Sequence, residues 1–254
     1  MKFRLTALAA GLAALNAAPT LAQDEKAAKV WKATAELGMI VTSGNTETTT
    51  FQGKMDATQD LEMWKNQYVI SALFKEDEIT QADGTKETEK TAEKISGSVK
   101  SAYKLDKDNA NLFIFGSHTD DKFGAYTKYS TLAVGYGDRL FETDTMQLDV
   151  EVGPGYFWAE QELDDGTTVT EEGAIIRAAA QYDWQVTESA DFRQTLAVES
   201  GQDNTRTTSD TSLSARINGS MQMKVGFTVQ SDSDVTEGKE KTDTTTYVTL
   251  VYKF

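Results

Sequence analysis

His118 is the single histidine of the chain and there is no cysteine, so acid–base or nucleophilic chemistry has one place to start. Ser117 and Asp120 lie beside it, but adjacent residues on an extended chain project to opposite faces, so Ser117 cannot reach the ring. Ser130, on the next predicted strand, can approach it, yet no nucleophile-elbow pattern surrounds that serine. The expectation is a protein with no catalytic residues and no cofactor. A second group of reactive side chains is larger. Glu36, Lys54, Asp56, Lys65, Lys94, Lys100, Lys104, Asp149, Glu151, Arg177, Asp183, Arg193, Glu199, Arg216 and Lys224 alternate along the chain with apolar residues. On period-2 strands that alternation gathers them on one face. Where the apolar face meets lipid, these charges line a lumen. The candidates singled out for that lining are Lys94, Lys100, Lys104, Asp149, Glu151, Arg177 and Asp183. The three lysines share one strand and Asp149 and Glu151 share another, which predicts opposed walls and a field that would orient dipolar solutes. Both signs occur in similar number, so two outcomes stand side by side. Either the charges pair and fill the interior, or they line a narrow, weakly selective polar pore.

Acidic stretches form the third group: Glu76-Asp77-Glu78, Asp120-Asp121, Glu160 to Asp165, Glu171-Glu172 and Asp232 to Glu237. Carboxylate oxygens suit hard divalent cations, and Asp164, Asp165, Glu171 and Glu172 are the weak candidates for loose Ca²⁺ or Mg²⁺ capture. No run has EF-hand spacing, so the simpler reading is a solvated acidic surface.

The elements that must position these groups are strands. Trp31, Ala33, Ala35, Leu37, Met39 and Val41 share one parity, and Ser43-Gly44-Asn45-Thr46 follows as a turn. Eleven further segments continue the rule, about Phe51–Leu61, Trp64–Lys75, Lys94–Leu105, Asn111–His118, Lys128–Phe141, Met146–Trp158, Ile176–Val186, Phe192–Glu199, Ser212–Ile217, Met221–Gln230 and Asp243–Phe254. In Asn111–His118 the facing is ambiguous, because Leu112 and Ile114 oppose Phe113 and Phe115. Gly153-Pro154-Gly155 predicts a bulge, since proline has no N–H to donate. Asn218-Gly219 predicts a type I′ hairpin. Tight links at Asp60–Met63, Asp106–Asn109, Glu142–Thr145, Thr187–Ala190 and Asn218–Ser220 alternate with longer ones at Glu76–Glu93, Thr119–Tyr126, Ala159–Glu172 and Ser231–Asp243. On the apolar parity, Trp31, Trp64, Tyr103, Trp184, Phe192, Tyr252 and Phe254 gather at the tight end, and Phe51, Phe74, Tyr156 and Trp158 at the other. Two aromatic bands and an even strand number define an all-β, twelve-stranded antiparallel transmembrane β-barrel with both termini periplasmic. A soluble sandwich or lipocalin-like barrel would alternate too, but without the bands.

Residues 1–22 read as a signal peptide: Lys2 and Arg4, then the apolar run Leu5 to Leu15, then Thr20-Leu21-Ala22. Residues 23–30 form a short periplasmic lead-in and residues 31–254 the barrel. Removing Lys2 and Arg4 from the 25 basic side chains leaves 23 against 40 acidic ones, a net charge of −17 that excludes a nucleic-acid partner. Without cysteine, an exported chain has no disulfide framework and rests on its strand ladders.

The ending Tyr252-Lys253-Phe254 resembles the closing strand of bacterial outer-membrane barrels, whose last aromatic residue is read by the assembly machinery. With Glu36-Leu37-Gly38 to Ser43-Gly44-Asn45-Thr46, and Arg139-Leu140-Phe141 to Val152-Gly153-Pro154-Gly155-Tyr156, it is similar to the bacterial family of salt-induced outer-membrane proteins, a domain of unknown function, over about Ala35 to Phe254. The resemblance implies an outer-membrane location and a link to salt or envelope stress, and brings no catalytic residues. It implies as partners outer-membrane lipid, lipopolysaccharide and, through Tyr252 and Phe254, the barrel-assembly machinery. The function expected is a narrow polar pore for ions or small solutes. The alternative is a non-conducting envelope barrel whose acidic loops bind divalent cations or lipopolysaccharide.

Overall fold

A computed structural model describes residues 30–42, 48–80, 86–105, 109–163, 166–235 and 239–254. The signal peptide, the lead-in before Val30, the Ser43–Thr46 turn, and Asp106 to Asp108 lie outside the described residues. Strands β1 (Trp31–Thr42), β2 (Thr48–Asp60), β3 (Trp64–Thr80), β4 (Lys86–Lys104), β5 (Asn111–Asp121) and β6 (Lys128–Glu142) are followed by β7 (Met146–Glu162), β8 (Thr168–Thr187), β9 (Ala190–Ser200), β10 (Thr205–Arg216), β11 (Met221–Asp232) and β12 (Thr242–Lys253). Each pairs antiparallel with the next and β1 closes on β12, giving a twelve-stranded barrel. Closure removes every sheet edge except at that seam. There the ladder has four pairs, Thr34↔Lys253 to Leu37↔Leu250, and Phe254 N donates to Ala33 O at 3.0 Å.

The apolar parity faces outward. Leu37, Met39, Met55 and Ile70 are 55–64% exposed, while the alternate positions turn in. The aromatic bands take their predicted places: Trp64 meets Tyr103 at 5.2 Å and Tyr252 meets Phe254 at 4.8 Å at the short-turn end. At the other end Tyr156 meets Trp158 at 4.9 Å, and Phe51 pairs with Phe74.

Several expectations are corrected. Three long links are shorter than the charge runs suggested, because β3 and β4 pair up to Thr80↔Lys86, β7 and β8 up to Glu162↔Thr168, and β11 and β12 up to Ser231↔Thr242. Charged residues continue a ladder readily once it rises beyond the apolar belt. The bulge expected at Gly153-Pro154-Gly155 is absent. Ala133↔Gly155 and Tyr136↔Val152 keep one register, and the shift falls instead between Arg139 and Phe141. Proline's missing donor is accommodated because the flanking glycines let the β6 and β7 backbones close up. The Asn218 turn is not type I′, which needs positive φ at both central residues, and neither Asn218 nor Gly219 has it. The Asn218 side chain closes it instead, accepting from Ser220 N at 3.0 Å and Met221 N at 2.9 Å. Asn109, the described residue of the next link, has φ 62°, a conformation asparagine tolerates. The facing of β5 is settled: Leu112 and Ile114 point out, and Phe113, 2% exposed, points into the lumen.

Candidate functional site

The lumen is built from the inward parity, and its first feature is a hollow. Gly135, Gly137, Gly153 and Gly155 turn in from β6 and β7, and the Phe113 ring settles there; a Cβ on Gly135 would lie 2.8 Å from it. Beside it Phe115 carries the Arg177 guanidinium at 4.0 Å from the ring centroid. Arg177 lies between Glu151 and Glu199, 3.6 Å from each, and Lys100 reaches over from β4 to bond Glu151. Thr131 Oγ1 donates to Glu199 at 3.0 Å. Six strands, β4 to β9, meet in this mid-lumen cluster.

At the long-loop end a second cluster gathers on the inward face. The β5–β6 link folds inward, with Asp121 Oδ1 accepting from Gly124 N at 3.0 Å, and buries Ala125 and Tyr126. Arg206 grips Asp232 with two hydrogen bonds, at 2.9 and 3.1 Å, and covers the Tyr129 ring at 3.6 Å. Asn204 Nδ2 donates to Asp232 at 2.8 Å and to the Tyr126 hydroxyl at 3.2 Å, and that hydroxyl donates to Glu171 at 3.1 Å. Burial, with Glu171 adding to it, holds the Tyr126 phenol well above its ordinary pKa, so it stays a donor. Near this end Lys94 spans the lumen from β4 to Gln230 on β11 at 3.0 Å and pairs with Asp121 at 3.1 Å.

At the short-turn end Lys104 bonds Asp60 at 2.5 Å, Arg139 bonds Asp149 at 2.6 Å and Arg193 bonds Asp183 at 2.5 Å. On the seam side Lys224 bonds Glu36 at 3.2 Å. All seven lumen candidates therefore turn inward, but Lys94, Lys100 and Lys104 each meet a carboxylate of their own. The predicted separation into a cationic and an anionic wall is thereby locally neutralised.

The packing of the lumen is uneven. Buried inward residues such as Thr131, Ala133, Arg177, Ser212, Gln222 and Thr249 occur on β6, β8 and β10 to β12, whereas those of β9 are half-buried or exposed. Those of β2 and β3, such as Lys54, Asp56, Gln67 and Ser71, are half-buried or exposed, and β4 sets buried Ala102 beside half-buried Ser98 and Lys100.

Outside the barrel His118 Nδ1 lies 2.8 Å from Ser130 Oγ, the approach expected, on the outward face, where His118 is exposed and Ser130 half-buried. It sits at the lip of a surface groove of about 380 Å³ lined by Glu93, Ile95, Gly97, Asp120 and Lys122. Asp120 is engaged by Lys122 at 2.9 Å, which raises the lysine's pKa. Among the described residues no carboxylate hydrogen-bonds to the ring, so no third group orients His118 as a catalytic base would require.

Of the metal candidates, Asp164 and Asp165 lie outside the described residues, and Glu171 is occupied by Tyr126 and by Gln161 at 3.1 Å. Glu172 pairs in the ladder with Trp158. Among the described residues no cluster of three or more ligands fit for a metal ion occurs. The residues that sequence reasoning missed are Phe113, Tyr126, Tyr129, Asn204, Arg206 and Asp232. Four inward glycines opposite two inward phenylalanines were the available signal for the first.

A closed twelve-stranded antiparallel barrel, apolar outside and polar within, is the architecture of outer-membrane channels. Two solved channels share it: the NanC porin (TM-score 0.50, 11% identity, 87% of this chain and 98% of that one) and the COG4313 outer membrane channel from Pseudomonas putida F1 (TM-score 0.51, 9% identity, 88% and 95%). At such identities the likeness is one of fold. The chain belongs to the family described as "Protein of unknown function, DUF481", which matches residues 35–254. It is 27% identical over 253 residues to "Uncharacterized protein YdiY" of Escherichia coli (strain K12), covering 96% of this chain and 94% of that protein.

Proposed function

We propose that this protein is exported by a signal peptide cleaved after Ala22 and resides in the outer membrane with both termini periplasmic. There it passes ions or small polar solutes through a narrow lumen. The observation that carries the reading is that, among the described residues, β2 and β3 bring no buried side chain to the inward face and keep Lys54, Asp56, Gln67 and Ser71 half-buried, a polar track along that part of the lumen. Narrowness follows from the Lys94–Gln230 bridge and the mouth cluster. Weak selectivity follows from pairing, since strong selectivity needs rings of unpaired charge of one sign.

Single-channel conductance of the refolded mature chain across a salt gradient tests this. Small discrete openings with a reversal potential near zero are expected. The triple variant Lys94→Gln, Lys100→Gln, Lys104→Gln removes a cationic partner from Asp121, Glu151 and Asp60 and should shift that potential toward cation preference. A folded but silent barrel, confirmed by its gel mobility, would end the pore reading. It would leave the second one, a structural barrel whose acidic loops hold divalent cations at lipopolysaccharide phosphates; the Lys94–Gln230 bridge across the lumen is the feature that favours it. The salt link is checked separately, as a rise in the protein's abundance with external salt.

Tyr252 and Phe254 stand exposed beside one another, where an assembly partner could read them. Deleting Phe254 should cut the folded protein recovered from the outer membrane several-fold while leaving refolding into detergent intact. Equal recovery would mean the terminus is not read.

A further inference from the structure

The groove beside His118 belongs to the outer wall, between β4 and β5. Glu93, Asp120 and Lys122 stand at its long-loop end, and Ile95 and Gly97 form its floor. The ladder sets Gly97 opposite His118 and Val99 opposite Gly116. Both glycines face outward with open space above them: a Cβ would meet only the Val69 carbonyl oxygen at 3.9 Å from Gly97 and that of Thr131 at 4.0 Å from Gly116. The groove therefore runs on as a furrow from a charged rim into the apolar belt of Val99, Leu112 and Ile114, all exposed. The aromatic residues fix its depth. Glu93 pairs with Phe74, which pairs with Phe51, and His118 pairs with Ser130, which pairs with Trp158. These rings form the long-loop band, the level at which lipid headgroups meet water.

The charges at the rim are balanced. Lys122 bonds Asp120 at 2.9 Å and lies in the field of Glu93, which Lys90 bonds at 2.7 Å. An ammonium group has three hydrogens to donate, so Lys122 can hold Asp120 and still reach an oxygen in the groove. His118 brings a further donor. Where Ser130 donates to Nδ1, 2.8 Å away, the neutral ring carries its proton on Nε2, and among the described residues no hydrogen bond reaches that nitrogen. We propose that this groove binds a phospholipid whose headgroup carries a primary ammonium beside its phosphate, phosphatidylethanolamine being the simplest case. The phosphate accepts from His118 Nε2 and Lys122, the ammonium donates to Glu93, and one acyl chain lies along the furrow over Gly97 and Gly116. A purely anionic headgroup has nothing to offer the two carboxylates, and a quaternary ammonium has no hydrogen to donate to them. Two lysines and two carboxylates leave the rim neutral, and a neutral headgroup keeps it so. The direction of the groove, charged at the rim and apolar below, is that of a lipid in its leaflet.

The inference rests on the barrel standing in a membrane, which protease protection in lipid vesicles checks separately, and not on conduction. Because His118 is the single histidine, isotope-labelled histidine in the mature chain, refolded in detergent micelles, gives one imidazole to follow by NMR. Added phosphatidylethanolamine should shift the Nε2 signal saturably, and phosphatidylcholine or phosphatidylglycerol far less. Gly97→Leu fills the furrow at a position that tolerates a Cβ, and should abolish the response while the barrel stays folded by gel mobility. Gly53→Leu is the control, on the outer face of β2 where a Cβ comes no nearer than 3.8 Å to its neighbours, and should leave the response unchanged. Glu93→Gln should carry the preference to phosphatidylglycerol. A folded barrel whose His118 signal ignores all three lipids overturns the proposal. So does an equal response to phosphatidylcholine, which would mean that the ammonium makes no hydrogen bond, or to phosphatidylglycerol, which would mean that phosphate alone is read. Loss of the response in Gly53→Leu as well would overturn the placing of the chain in this furrow. A barrel that binds phosphatidylethanolamine but is silent in planar bilayers would keep this site and overturn the pore reading alone.

Discussion

Arg206→Ala should lower the unfolding free energy of the barrel by about 3–5 kcal/mol, the range for removing one partner of a buried ion pair. Arg206 and Asp232 have side chains 9% and 3% exposed, and the guanidinium supplies two of the three hydrogen bonds that reach Asp232 from side chains, at 2.9 and 3.1 Å. Without it, Asp232 retains the amide of Asn204 at 2.8 Å, a neutral donor that cannot offset a buried negative charge. The variant also uncovers Tyr129 and Tyr126, whose rings lie 3.6 and 4.9 Å from the guanidinium carbon. Those contacts are worth roughly 0.5–2 kcal/mol in their own right. Asp232→Ala alone should cost a similar amount by stranding the arginine, and the double variant should cost clearly less than the two singles together, because neither charge is then left alone. Denaturant midpoints in lipid vesicles measure all three. Additive losses would show that the pair is not energetically coupled. The same variants should raise single-channel conductance, because Arg206 ties the inward-folded β5–β6 link to β10 and β11. Unchanged conductance with lowered stability would place the narrowest point elsewhere, at the Lys94–Gln230 bridge.

This mouth cluster marks the limit of what the amino-acid sequence discloses. Strand number, order and facing follow from period-2 alternation, because the outward parity meets one environment and is written in one alphabet: Leu37, Met39, Ile70, Val134, Leu250. Which inward residues touch depends on how far the barrel flattens and how each long side chain bends. Lys100 and Glu151 are three strands apart and Lys94 and Gln230 five, so no spacing rule predicts either contact. Charge runs misled in one direction, since Glu76-Asp77-Glu78 and Glu160 to Glu162 read as loop and are strand. Their ladders continue beyond the apolar belt, where polarity no longer distinguishes strand from loop. Tyr126 was read as the end of a link because aromatic residues inside links carry no period. It is that link's anchor in the lumen.

Gly153→Val should prevent the barrel from closing. Pro154 lacks the N–H that the ladder needs, and the β6–β7 pairing has no bonded pair between Ala133↔Gly155 and Tyr136↔Val152. The strands nonetheless keep register, and they do so by approaching more closely than side chains allow. A Cβ on Gly153 would fall on the carbonyl oxygen of Val134 and within 2.5 Å of the Gly135 Cα, and one on Gly135 would meet the carbonyl oxygen of Val152 and the Phe113 ring. The opposing atoms are backbone, which cannot rotate aside as a flexible side chain can. The cost should therefore lie at or beyond the ~3 kcal/mol upper end of ordinary overpacking, since relief requires parting two strands that also carry Phe113, Glu151 and Arg139 contacts. Gly219→Val is the matched control: it adds the same groups at a turn glycine whose Cβ would meet nothing within 4 Å. Refolding yield into micelles, read as the heat-modifiable band, should be near zero for the first and unchanged for the second. A Gly153→Val barrel that refolds with the native denaturant midpoint would mean that β6 and β7 can separate there without loss. The register would then be held by the Arg139–Phe141 shift and the Glu142–Thr145 turn, and the glycine pair would be dispensable.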